Sequence, residues 1–248
     1  MKLQFKIDKE YLLVHSLNQN INPFSKWMDF KNHLWELSAQ GYSLLSGSAE
    51  IFITIKTTKQ INKISNKTLQ LIKAGLKTKE FKTLYQETER YKKWLEKEWN
   101  KNENKIFNII KELSGLKFPN KTITILVTHP KFFNGRTLSD NSTICWGHPE
   151  DWKNYSIVYI AHELMHILTH KNQYSNTMHA LIELMTDNEL RIRLNKQGKY
   201  FREGKFTIGH NYLLSLEKKI LTKWKQYIKL KNKNIFQLEN DIKKSRSE

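Results

Sequence analysis

Between Tyr155 and Leu168 the chain reads YSIVYIAHELMHIL, an unbroken apolar stretch holding two histidines and a glutamate. A helix apolar on nearly every side is a buried helix, and burying imidazoles and a carboxylate costs several kcal/mol unless each finds a partner (about 2–7 for a neutral polar group). His162 and His166 are four residues apart, so on a helix they project from one face and can bind one metal ion. Glu163 stands at the edge of that face, where it can reach a water molecule without being a ligand. The spacing therefore predicts His162 and His166 as ligands of Zn2+ and Glu163 as the general base of a hydrolase.

The chain has 248 residues, 39% of them apolar, enough for a real core without staples. Its one cysteine, Cys145, cannot form an internal disulfide, and the start MKLQFKIDKE lacks the apolar core of a signal peptide, so a cytoplasmic protein is expected. No run of about 18 apolar residues occurs, and no membrane span is expected. The net charge of +18 is unevenly spread: +11 over residues 1–132, −4 over 133–189 and +11 over 190–248. The acidic stretch holds the metal motif; lysine along the flanks is read as solvated surface rather than a nucleic-acid face.

In chain order, Leu3, Phe5 and Ile7 alternate as in a strand, a helix is expected from Pro23 to Gly41, and Glu50–Thr57 reads as a second strand. Residues 60–76 and 78–114 read as helices, the second interrupted by the polar run Asn100–Lys105. Gly115 and Pro119 mark a boundary. Beyond it come a strand at Thr122–Val127, a loop from Pro130 to Asp140 turning at Asn134-Gly135, and a short strand at Ser142–Trp146, expected as an exposed edge. Three regions follow: 1–118, an N-terminal strand-helix-strand with long helices; 119–195, the catalytic core; and 196–248, a basic helical region, its helix Tyr212–Leu230 carrying Leu213, Leu216, Ile220, Trp224 and Tyr227 on one side.

A catalytic zinc usually takes three protein ligands. Asn172 and Thr169 stand where a metzincin needs His and Gly. On the next helix, Met178–Leu194, Glu183 and Asp187 share a face; one can ligate the metal while the other orients a ligating imidazole.

His162-Glu-Leu-Met-His166 followed by Glu183-Leu-Met-Thr-Asp187 resembles the gluzincin (thermolysin-like) zinc metallopeptidases over about residues 122–194. The resemblance implies an α+β fold with a zincin-like core flanked by mainly helical basic regions. It also implies His162, His166 and Glu183 as zinc ligands, Glu163 as general base, Asp187 as partner of His162, and a polypeptide substrate. Tyr174, His210 and Tyr212 are the candidates for oxyanion stabilisation. Three other readings stand beside it. His179 as third ligand resembles the SprT-type proteases, which act on DNA-bound proteins, but leaves Glu183 and Asp187 buried without a role. Cys145 as ligand resembles peptide deformylases without their sequence context. The third is a non-catalytic nucleic-acid- or protein-binding chain on a degenerate zincin scaffold, working through the basic helices 196–246.

Overall fold

The computed structural model describes residues 1–18, 32, 35–36, 66–138, 140–169 and 175–245. Most of the helix expected from Pro23 to Gly41, the strand expected at Glu50–Thr57, and Tyr174 lie outside the described residues. The fold is mixed α+β, mainly helical around one small mixed sheet.

Strand β1 (Lys2–Lys6) runs into helix α1 (Lys9–Asn18), and helix α2 (Asn66–Gly75) precedes the long helix α3 (Lys79–Ser114). Strands β2 (Thr122–Val127), β3 (Asn134–Thr137) and β4 (Thr143–Gly147) follow. They assemble in the order β1-β2-β4-β3, with β1 and β4 parallel to β2 and β3 antiparallel to β4. Helix α4 (Tyr155–Thr169) carries the histidine motif; helix α5 (Asn176–Glu183) continues through a π-helical stretch, Leu184–Leu190, into α6 (Arg191–Asn195). A two-residue ribbon, β5 (Arg202–Glu203) and β6 (Phe206–Thr207), leads to α7 (Leu214–Tyr227) and α8 (Ile235–Lys244). Among the described residues no helix is long and apolar enough to cross a membrane.

Because side chains alternate along a strand, the sheet builds two cores. Leu3, Phe5, Ile123, Ile125, Val127, Ile144 and Trp146 face α3 and α4. Leu126 and Cys145 face the other way, against Tyr11, Leu12, Phe132 and Leu84. The larger core runs from Leu3 to Ile242, through Trp99, Leu164 and Trp224, so the regions expected at 1–118, 119–195 and 196–248 share one interior.

Three expectations need correction. Helix α3 is continuous through Asn100–Lys105, because its polar side chains bond within the helix: Trp99 Nε1–H donates to Glu103 Oε1 (3.1 Å) and Asn102 Nδ2–H to Glu98 O (2.9 Å). Gly115 then ends it at φ 71°, where a Cβ would sit 1.8 Å from Lys233 O. The strand at Thr143–Gly147 is not an edge; it lies between β2 and β3. The edge is Asn134–Thr137, inside the expected loop. Its polar sequence carries no strand signal, yet Gly135 lies opposite Trp146, whose ring would be 2.8 Å from any Cβ there.

Candidate metal centre

Helix α4 starts where the Glu150 carboxylate accepts the Ser156 N–H (2.9 Å), and its apolar length is driven into the core. His162 is 2% exposed and His166 half-buried, with their Nε2 atoms 2.9 Å apart. Ser175 caps α5, accepting the Met178 N–H (3.0 Å), and sends His179 toward the same place. The His179 ring lies 4.7 Å from that of His166 and 5.4 Å from that of His162. One ligand atom from each of these three imidazoles falls within 4.8 Å of the others.

The carboxylates fix the far sides of these rings. Asp187, fully buried in the π-helical stretch, accepts from His162 Nδ1–H at 2.9 Å, and the Thr186 hydroxyl lies 2.9 Å from the same oxygen. Arg191 Nε–H donates to the Asp187 carbonyl (2.8 Å), and its guanidinium is held by Lys199 O and Glu203. Burial alone would depress His162, but the Asp187 charge and hydrogen bond outweigh it and raise the imidazole to about 9. This partner leaves Nε2 facing the other two histidines. Tyr212, 63% exposed, places its hydroxyl 3.1 Å from His179 Nδ1.

Glu183 is placed differently from the sequence expectation. Its buried carboxylate takes the main-chain N–H of His210 on Oε2 (2.9 Å) and His210 Nδ1 on Oε1, with His179 Nε2 3.5 Å from Oε1. It therefore belongs to a set with His179 and His210, not with His162 and His166. Gly209 explains the pull: at φ 83°, a Cβ there would lie 2.3 Å from Glu183 Oε2, so only glycine lets the backbone come so close. The half-exposed His210 is raised by this hydrogen bond to Glu183. On α7, Glu217 is fully buried against the same corner; burial, then the Glu183 charge, push it up to about 9 and keep it neutral at pH 7.

Glu163, half-buried, points to the edge strand: Thr137 on β3 donates its hydroxyl to Glu163 Oε2 (2.8 Å). Cys145 stands apart on the opposite face of the sheet, its S–H donating to Tyr11 Oη (3.1 Å). Thr137, Gly209 and Glu217 were not singled out from the sequence. Glu217 did leave a trace: a carboxylate inside the apolar stripe of Leu213, Ile220 and Trp224. No family model, no curated protein and no solved structure matches this chain.

Proposed function

We propose that the protein is a zinc-dependent peptidase in which His162, His166 and His179 hold the metal and Glu163 is the general base. One observation carries this: three imidazoles converge within 4.8 Å, and beside them Glu163 is held by the edge strand. The donor set fits the ion, since three neutral nitrogens, one with its tautomer set by a carboxylate, are a known form of catalytic zinc site. With His179 as third ligand neither carboxylate is left without a partner, since Asp187 is bonded to His162 and Glu183 to His210.

Bound zinc supplies Lewis acidity, polarising a carbonyl and making water more acidic. The chain's own residues do the rest. Asp187 holds the His162 proton on Nδ1, so Nε2 stays a donor to the metal. Glu163, aligned by Thr137, accepts a proton from the attacking water and returns it to the leaving amine. Strand β3 ends the described sheet, and an extended peptide added along it would pass beside Glu163. A small mixed sheet with an antiparallel edge strand, then the histidine helix, then a carboxylate-bearing helix, is an arrangement that resembles the zincin core.

The test is hydrolysis of unfolded casein by the full chain. Glu163→Gln is expected to lower the rate about 10²–10⁴-fold with bound zinc unchanged. Chelation should abolish it. Hydrolysis that survives both would reject the proposal. Zinc content separates the ligand sets: His179→Ala should lose the metal and Glu183→Ala retain it.

A further inference from the structure

Glu183 and His210 are used by nothing in the mechanism above, yet they are built with care. We infer that Glu183, His210 and His179 form a second divalent-cation position, which needs neither His162 nor His166. One ligand atom from each of these residues lies within 4.8 Å of the other two, giving one carboxylate and two imidazoles. Mixed imidazole and carboxylate ligation of this kind suits zinc or cobalt.

Three observations point to a ligand rather than to packing. Glu183 is fully buried, and its carboxylate faces two imidazoles, His210 on one oxygen and His179 Nε2 3.5 Å away, each of which can give a nitrogen to a cation. A second buried acid, Glu217, lies at the same corner, so two buried carboxyl groups meet beside the imidazoles of His179 and His210. Gly209 further gives up its side chain to let the main chain reach Glu183 Oε2, which fixes His210 beside the carboxylate.

The two positions differ in access. The His162/His166/His179 set has two buried imidazoles and one half-buried, whereas His210 is half-exposed on the turn before α7. The outer set also contains the only carboxylate among the ligands of either. His179 belongs to both.

The inference goes beyond the peptidase reading, since it requires no hydrolysis. It is tested with Co2+ alone as the probe, added to metal-free full-length protein and followed by its visible absorption and by equilibrium dialysis. His166→Ala disables the inner set and should still bind about one equivalent, lost when His210→Ala is added. If His166→Ala binds none, or if its cation survives His210→Ala, the second position does not exist. His210→Ala alone leaves the inner set intact and should bind about one equivalent; if it binds none, it is the inner triad that fails. His166→Gln, with circular dichroism on every variant, separates lost ligands from lost folding.

Discussion

Two buried histidines, one on each side of the sheet, are treated in opposite ways. His162, among α4, α5 and the π-helical stretch, is raised to about 9 because a carboxylate oxygen lies 2.9 Å from its Nδ1. His15, at the end of α1, is stacked on Tyr11 and edge-on to Phe132, with ring centroids 5.6 Å away in each case. Burial, then the nearby positive charge of Arg136, lower it to about 4. Both are nearly inaccessible, so burial does not decide what a histidine is for. The partner does. A carboxylate holds the Nδ1–H of His162 and makes the ring basic, so a metal that displaces the Nε2 proton finds that nitrogen already aimed, whereas burial and the Arg136 charge keep His15 uncharged.

The largest expected effect breaks this contrast on the His15 side. Its pKa is depressed in the fold, so its contribution is complete above the unfolded value of 6.5 and lost as pH falls from there toward 4. That loss is on the order of 2–3 kcal/mol by pH 4.5. Urea midpoints at pH 7 and 4.5 should therefore fall more steeply in the native chain than in His15→Gln; equal falls would show that His15 is not held neutral. Next is Asp187→Asn, which leaves the shape but removes the charge from His162. Zinc affinity, read by competition with a chromophoric chelator, should drop about 10–100-fold. No drop would mean that the carboxylate does not orient the ring. The smallest change is Tyr212→Phe, which deletes the hydroxyl beside His179 at an exposed position. About 2–10-fold in zinc affinity is expected, the worth of one ordinary hydrogen bond. A loss exceeding that of Asp187→Asn would reverse the ranking of the two supports.

What could be read in advance follows from how far apart the cooperating residues are. Strands β1, β2 and β4 and helices α3, α4 and α7 announce themselves by local apolar period, because each buries one face over consecutive turns or pleats. His162 and His166 sit on one such element, so their proximity is a matter of spacing. Strand β3 was hidden because an edge strand of Asn, Gly, Arg and Thr is defined by its neighbour, Trp146, and not by its own composition. The place of Glu183 was hidden for a related reason. On α5 alone it can turn toward either histidine set, and what decides is a glycine 26 positions later whose missing side chain admits the His210 backbone. Thr137 and Glu163 likewise meet across 26 positions. No local pattern records such a meeting.

The widened turn at Leu184–Leu190 has a further consequence, for what changes this chain can tolerate. A π-helical turn contains one residue more than an α-helical one, and each residue of an α-helix turns the axis by about 100°. Trimming a single amino acid from this stretch would restore regular helix while swinging Arg191 and all that follows it away from the Asp187 carbonyl and from Trp152. Length, more than identity, is the guarded property here: exchanges of one apolar residue for another should be absorbed, whereas shortening by one should dismantle the support behind His162 without touching a histidine.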